Sequence, residues 1–219
     1  MLVTDRRRVA PGELVPRVIA AVAGGVGIVQ FREPGVDDSR LRRWIERVRE
    51  AVAPQVRLVL NGRPDLAGQL AVGLHLPAGH PALSPAQARV FELLGRSAHD
   101  VPEAERAAAE RVDYIVVGTI YPTPSKPGHP GGGPALIAGI RASVSSPPIY
   151  AIGGIDASRV ARPLAAGAYG AAVCGAILTA DDPREAARVM YAALRRSLVD
   201  QGRNEASRTR ASDGWTQAT

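Results

Sequence analysis

Short apolar runs alternate with amphipathic stretches along nearly the whole chain of 219 residues. The apolar runs are continuous rather than interrupted at every second position, which is typical of parallel strands that are covered on both faces. The stretches between them have apolar residues at helical spacing, for example Leu41, Trp44, Ile45 and Val48. Because strand and helix follow each other eight times, we predict a single-domain α/β fold, the (β/α)8 TIM barrel.

Turn and capping residues set the bounds of these units. The predicted strands cover residues 2–4, 26–32, 56–60, 73–76, 93–97, 114–120, 148–152 and 169–174. The predicted helices cover residues 11–23, about 40–49, 64–70, 84–91, 101–110, 134–143, from a cap at 156 or 158 to about 166, and 183–198. A doubly wound open sheet is the alternative, but the GxGxxG motif expected after its first strand is missing. The barrel domain is predicted to span residues 1–200, and the polar residues 201–219 to form a disordered C-terminal tail.

The composition limits the classes of partner. Hydrophobic residues make up 46% of the chain and aromatic ones only 4%, which predicts a core of Val, Ile, Leu and Ala. The formal net charge is +6, yet the basic residues are scattered and Arg6–Arg8 is the only run of three. No aromatic residues interleave with them as stacking platforms for bases would. We therefore expect no nucleic-acid partner and expect a small anionic molecule instead.

The sequence also bears on location and assembly. Cys174 is the single cysteine, which excludes an intrachain disulfide and a thiolate metal site. The basic N-terminal run is followed by too interrupted a sequence for a signal peptide, and no apolar run approaches the roughly 20 residues of a membrane span. We expect a cytoplasmic protein without a membrane partner, and a homo-oligomer in the form of a dimer.

Polar residues follow several of the predicted strands. In a (β/α)8 barrel the functional side chains lie at the carboxyl ends of the strands. The residues found there after the second, third and fifth strands are Gln30, Arg32, Asn61, Ser97 and His99. They provide hydrogen-bond donors and one cation at a single face of the barrel, which favours an anionic ligand.

A loop rich in Pro and Gly follows the sixth strand. Residues 121–133 contain four Pro and four Gly, so neither helix nor strand can continue there. Thr123, Ser125 and Lys126 supply two hydroxyl groups and a cation, which predicts a lid that clamps an anion, with His129 an exposed bystander. A solvent-exposed crossover loop is the alternative.

Glycines follow the seventh and eighth strands. Backbone N–H groups of a glycine turn can approach a phosphate closely, and the start of the next helix adds its dipole. The pattern predicts a phosphate monoester site formed by the backbone of Gly153, Gly154, Cys174 and Gly175. The alternative for the glycine pair is a tight turn between strand and helix.

Other conspicuous side chains favour structural interpretations. His75 stands among apolar residues and is interpreted as a core or layer histidine. The side chain of Cys174 is interpreted as a small core residue, because nothing obvious lowers its pKa. No pair of carboxylates stands at the strand ends discussed above, so the sequence predicts neither a metal site nor another cofactor.

Seven segments, taken in order, resemble the thiamine phosphate synthase superfamily over about residues 1–198. They read QFRE at 30–33, NGRPD at 61–65, GRSAH at 95–99, DYIVVG at 113–118, TPSK at 123–126, AIGGI at 151–155 and AVCGAI at 172–177. The resemblance implies a (β/α)8 barrel that binds a thiazole phosphate.

Departures from the pattern favour one of two branches. Synthases of this superfamily join a pyrimidine pyrophosphate to the thiazole phosphate with Mg²⁺, and their motifs usually read Q-L-R-x-K, N-D and H-x-G-Q-x-D. This chain has Pro34 in place of the lysine, Gly62 in place of the N-D aspartate, and no acidic residue up to His80 in the third motif. Without the lysine and a bound Mg²⁺, nothing in these motifs would neutralise the charge of the departing pyrophosphate. The N-G-R and H-L-P sequences resemble the metal-free thiazole tautomerase (TenI-type) branch, which isomerises a carboxythiazole phosphate tautomer to its aromatic form.

The tautomerase resemblance assigns roles with one departure. Where its pattern has a proton-shuttling histidine after the sixth strand, this chain has Thr119, whose hydroxyl is a poor base. His99 is the candidate to move the proton, because imidazole side chains titrate near neutral pH, and a structural histidine is the alternative. The resemblance implies that Lys126 stabilises anionic charge, that Arg32 binds the carboxylate and that Asn61 contacts a ring heteroatom.

The sequence therefore predicts a thiazole tautomerase of thiamine biosynthesis. Its predicted catalytic residues are His99, Thr119 and Lys126. Its predicted substrate-binding residues are Gln30, Arg32, Asn61, Ser97, Thr123, Ser125 and Lys126. A divergent thiamine phosphate synthase is the first alternative. The second alternative is a non-catalytic protein with a binding or regulatory role that keeps the thiazole phosphate pocket. Thr119 in place of the proton-shuttling histidine is compatible with it.

Overall fold

The structure is a computed structural model that describes residues 1–200 and Gly202. In these residues eight parallel strands, β1 to β8, lie side by side in chain order. They are Leu2–Val3, Ile28–Phe31, Arg57–Asn61, Gly73–Leu76, Leu94–Ala98, Tyr114–Val117, Ile149–Ile152 and Gly170–Ala172. The first strand also meets the last, because the amide of Val3 donates to the carbonyl of Val173 at 2.8 Å. The prediction of a TIM barrel is confirmed.

Helices follow the strands. In chain order the described helices, α1 to α9, are Leu14–Ala23, Asp38–Ala51, Pro64–Leu70, Pro85–Ala88, Val101–Ala109, Gly133–Ser143, Ala161–Ala165, Gly175–Leu178 and Pro183–Asp200. A 3-10 turn, Arg6–Arg8, follows β1. The predicted helix 84–91 is a single turn closed by a capping box at Ser84. The predicted strand 169–174 is shorter, because Cys174 already caps α8, which the sequence did not predict.

Alternate residues of β6 belong to two different hydrophobic clusters. Ile115 and Val117 belong to the large cluster that the strands form with the helices. Tyr114 and Val116 point to the other face and, with Val3, form a small cluster inside the barrel. The inner cluster departs from the predicted aliphatic core, because Tyr114 is its largest member and is only 2% exposed.

The predicted strand 114–120 ends at Val117, although the chain keeps following β7. The amides of Ile120 and Tyr121 donate to the carbonyls of Ile152 and Gly153 at 2.9 and 3.0 Å. This irregular continuation carries the Pro- and Gly-rich loop directly over the end of the barrel.

In the part of the chain that the structure describes, no helix is long and apolar enough to cross a membrane. The predicted tail lies outside the described residues, apart from Gly202, which stands in a turn. The domain bounds, the cytoplasmic location and the dimer stay predictions.

Candidate active site

A cavity of about 610 Å³ opens at the carboxyl ends of the strands. Every site residue predicted from the sequence lines it, namely Gln30, Arg32, Asn61, Ser97, His99, Thr119, Thr123, Ser125, Lys126, Gly153, Gly154, Cys174 and Gly175. They come from six different strand ends, which parallel strands in a closed barrel bring to one face. The position of these residues is thus as expected, while their roles stay predictions.

A buried hydrogen-bond chain runs from the inside of the barrel to this cavity. The Nε2 atom of His75 lies 2.8 Å from the Oγ atom of Ser97, and its Nδ1 atom lies 3.2 Å from the hydroxyl of Tyr114. The hydroxyl of Tyr114 in turn bonds Gln30, whose side-chain oxygen accepts a long hydrogen bond of 3.5 Å from Asn61. His75 is 1% exposed, so the interpretation as an interior histidine fits, but its partner Ser97 faces the cavity.

The direction of this chain depends on which ring nitrogen of His75 carries the proton. Burial lowers the pKa of His75 to about 3, so the imidazole is neutral and has one N–H donor. The amide group of Gln30 donates to the phenol oxygen, since its own oxygen is taken by Asn61. In the tautomer with the proton on Nε2, Tyr114 donates to Nδ1 and Nε2–H donates to Ser97, which leaves the hydroxyl proton of Ser97 free to point into the cavity.

The glycine turns after β7 and β8 differ in what they require. Gly153 and Gly154 have φ angles of +104° and +60°, in the left-handed region. A Cβ atom on Gly153 would lie 2.6 Å from Cγ2 of Thr119, and one on Gly154 would lie 2.6 Å from the carbonyl of Pro122. Close packing against the loop after β6 therefore explains this pair as well as a phosphate does. Gly175 begins α8 and leaves its N–H group at the cavity.

The loop after β6 lies over the cavity. The amide of Lys126 donates to the carbonyl of Thr123 at 3.0 Å, which closes a tight turn around Ser125. All three residues line the cavity, as a lid would. His129 is exposed, and its Nδ1 atom accepts from the amide of Gly131 at 3.0 Å, which agrees with a role in the loop alone.

His99 and Thr119 both hold structural contacts at the rim. The Nδ1 atom of His99 lies 2.6 Å from the carbonyl of Gly118, and its backbone N–H donates to Glu103. The peptide bond between Gly118 and Thr119 is cis. Thr119 is 6% exposed and its methyl group packs against Gly153. The structural alternative for His99 therefore has direct contacts in its favour.

Sequence reasoning missed Arg8 and Arg159, which also line the cavity. Arg8 stands in the turn after β1, and its guanidinium donates to the hydroxyl of Ser125 at 3.3 Å. Both carboxylate oxygens of Glu33 accept from the amide of Arg6 and so hold this turn in place. The strand-end rule, applied to β1 and to the helix start after β7, would have found both arginines.

The residues present do not fit Mg²⁺. Among the described residues, no group of three or more His, Cys, Asp and Glu side chains is arranged to hold a metal ion. Asp5 and Asp156 are the carboxylates in the cavity lining. Asp5 accepts three hydrogen bonds from Arg7, and one oxygen of Asp156 accepts three from Ser158 and Arg159. These contacts hold the pKa of each carboxyl below its usual range.

Comparison with known proteins identifies relatives over most of the chain. Residues 1–177 match the family described as thiamine monophosphate synthase. The thiamine-phosphate synthase of Thermus thermophilus is 40% identical over 195 residues, covering 87% of this chain and 93% of that protein. The synthase of Mycobacterium sp. strain JLS is 38% identical over 209 residues, with 88% and 91% covered. The structure of thiamine phosphate pyrophosphorylase from Pyrococcus furiosus superposes with a TM-score of 0.79 at 25% identity, with 90% and 95% covered.

These relatives are named as synthases, so the prediction of a thiazole tautomerase is wrong. The error has a physical cause. The motifs alone lack the carboxylates and the lysine that would neutralise a diphosphate, but Arg8 and Arg159 bring cations that the motifs do not include. The proton-shuttle role of His99 stays an untested prediction. The chain belongs to the thiamine monophosphate synthase family.

Proposed function

We propose that this chain is a thiamine-phosphate synthase, a transferase that joins a pyrimidine pyrophosphate to a thiazole phosphate. The observation that carries the proposal is one cavity that combines the glycine turns after β7 and β8 with four cationic side chains, Arg8, Arg32, Lys126 and Arg159. Relatives named as synthases, at 38% and 40% identity over most of their length, support the same activity. Cytoplasmic location, as for a pathway of small phosphate esters, is part of the proposal.

The reaction joins two molecules that carry phosphate groups. The C–O bond to the diphosphate breaks, and its electron pair leaves with the diphosphate. The lone pair of the thiazole nitrogen forms the new C–N bond to the same carbon. No proton is transferred in this step, so Thr119 in place of a histidine is no obstacle to it.

The cavity suits this step in three ways. Backbone N–H groups at Gly175 and the turn after β7 face the side where the phosphate of the thiazole is expected to bind. Ser97 offers its proton, and Arg32 and Lys126 offer charge, to the departing diphosphate. Holding both substrates in one cavity also orients the nitrogen towards the carbon that it attacks.

The test is direct. The purified protein is incubated with the pyrimidine pyrophosphate and the thiazole phosphate, with Mg²⁺ and separately with EDTA, and thiamine phosphate and released pyrophosphate are quantified. We expect the two products in equal amounts and above the protein-free rate. Absence of both products under both conditions would refute the proposal, and substrate binding without turnover would favour the non-catalytic alternative.

A further inference from the structure

Four cationic side chains and two carboxylates line the cavity. The cations, here called the mouth cations, are Arg8, Arg32, Lys126 and Arg159. Within the described part of the chain, Arg8, Arg32 and Lys126 form no ion pair. Their charge is therefore not consumed by the protein itself and is available to an anion.

Arg8 is placed to bridge the two anion-binding regions. One terminal nitrogen donates to Ser125 of the lid at 3.3 Å. The other lies 2.8 Å from the position that a Cβ atom on Gly175 would occupy. Its Nε atom is buried and has no hydrogen-bond partner among the described residues. A guanidinium with an unused donor between lid and glycine turn is suited to bidentate contact with phosphate oxygens.

Arg159 lies beside Tyr121, where the loop after β6 begins, and beside the glycine turn after β7. Its guanidinium lies 5.7 Å from the ring centre of Tyr121 and donates to the carbonyl of Gly154 at 3.3 Å. Its Nε atom lies 3.8 Å from Oδ2 of Asp156, at the long end of an ion pair, while the other oxygen, Oδ1, accepts from Ser158. Arg159 is thus oriented by its neighbours without being neutralised by a close carboxylate.

Another cation occupies the loop where the synthase pattern has a metal-binding aspartate. The buried guanidinium of Arg96 donates to the carbonyls of Pro77, Ala78, His80 and Pro81, at 2.7 to 3.4 Å. It also pairs with Glu110 at 2.8 Å. The carbonyl oxygens of this loop, which are metal-ligand groups in general, are thereby already used.

We propose that this chain binds and neutralises the diphosphate with the mouth cations and without a divalent cation. The inference rests on the proposed synthase function and concerns how its leaving group is held. Side-chain cations positioned around a forming diphosphate can stabilise its charge as metal ions do, provided that they are preorganised. The contacts of Arg8 and Arg159 supply that preorganisation.

Calorimetry with inorganic pyrophosphate tests the proposal on the full chain. We expect binding in EDTA, and an affinity that changes by less than about threefold when Mg²⁺ replaces EDTA. Arg8→Gln and Arg159→Gln should each weaken pyrophosphate binding by about tenfold or more. Arg57→Gln is the matched control, since Arg57 begins β3 at the other end of the barrel and pairs with Glu92. It should change the affinity by less than about twofold.

Three results would overturn the inference. They are a gain of about tenfold or more in affinity with Mg²⁺, no binding in EDTA, or an effect of both cavity variants as small as that of Arg57→Gln. Thermal melts check that the variants fold, and Arg159→Gln keeps the test open if Arg8→Gln does not, because the Arg159 side chain is 53% exposed.

Turnover separates this inference from the proposed function. Synthase activity that appears only with Mg²⁺ would refute the metal-free inference and leave the proposed function standing. Pyrophosphate binding in EDTA, weakened by the cavity variants but without turnover under any condition, would refute the proposed function and leave the mode of diphosphate binding standing.

Discussion

The imidazole of His75 and the hydroxyl of Ser97 are 2.8 Å apart at the ends of two neighbouring strands. Because Tyr114 engages the other ring nitrogen, His75 orients Ser97 from inside the barrel. When Nε2 of His75 carries the proton, the hydroxyl of Ser97 accepts from it and can present its own proton to the cavity. The interior of the barrel therefore takes part in the site.

Removing this hydroxyl tests its role. We expect Ser97→Ala to lower kcat by about 10- to 100-fold, as for the loss of one hydrogen bond to a charged group. Ser143→Ala is the control, since Ser143 is exposed at the end of α6. Steady-state kinetics of product formation measure the effect. Equal kcat values for the two variants would contradict the assignment.

Acid stability should depend on His75. The pKa of His75 is lowered to about 3 in the folded protein, while an unfolded histidine titrates near its ordinary value of about 6.5. Between these values the unfolded state binds a proton that the folded state does not, so stability falls as pH falls from about 6.5 towards 3. The contribution is about 1.4 kcal/mol per pH unit.

Denaturant unfolding at a series of pH values measures this slope. The His75→Gln variant cannot take up that proton and should show a shallower dependence on pH in this range, whatever its stability at neutral pH. The same slope in both proteins would show that His75 does not stay neutral in the fold.

The ring of Tyr114 lies directly against Gly95, which has no side chain. A Cβ atom on Gly95 would lie 2.1 to 2.5 Å from three ring atoms of Tyr114. We expect Gly95→Ala to cost about 3 kcal/mol or more of the free energy of unfolding, because a buried ring cannot move aside. Gly139→Ala, at an exposed position of α6, meets no atom within 4 Å and should stabilise by about 0.5–1 kcal/mol. Chemical denaturation of both variants decides the point.

The glycine at the start of α8 allows a test of phosphate binding with little damage to the fold. The three atoms nearest to a Cβ atom on Gly175 all belong to the guanidinium of Arg8, at 2.8 to 3.4 Å. We expect Gly175→Ala to raise the KM for the thiazole phosphate by about tenfold, because the methyl group fills the approach to the backbone N–H. Gly27→Ala, with open space around it, should leave the KM unchanged. An unchanged KM in Gly175→Ala would place the phosphate elsewhere.

The thiol of Cys174 should react slowly despite its place in the cavity lining. Burial is the largest cause that raises its pKa to about 11, and the nearby cation Arg8 offsets this only in part. At pH 8 little thiolate is present, so iodoacetamide should modify the folded protein much more slowly than the unfolded one. Mass spectrometry over time follows the reaction, and similar rates in both states would contradict the raised pKa.

Much of the fold was readable from local patterns. The predicted bounds of α3 and β4 coincide with the observed Pro64–Leu70 and Gly73–Leu76. The predicted bounds are wrong where contacts between residues far apart in the chain determine the local structure. The strand predicted to reach Ile120 stops at Val117, and α8 begins where Cys174 leaves the sheet. Gly153 packs against Thr119 just after the strand that stops at Val117. Local propensity cannot predict this contact, because the two residues are far apart in the chain.

The site shows the same division. Its residues could be predicted because they follow strand ends, and all parallel strand ends of a barrel meet at one face. The activity was mistaken because motifs were compared position by position. The absence of the acidic motif residues suggested that synthase activity was absent. Arg8 supplies a cation to the site, but it lies outside the motifs, in the turn after a strand of two residues.

The sequence by itself determined the order of eight strands and their helices, because apolar periodicity and caps act between residues that are close in the chain. It also determined which strand ends carry polar groups. Only the tertiary structure decided which charges converge and that hydrogen bonds connect Tyr114, His75 and Ser97. Closure of the barrel brings Arg8, Ser125 and Gly175 into contact, and no local rule relates residues so far apart in the chain.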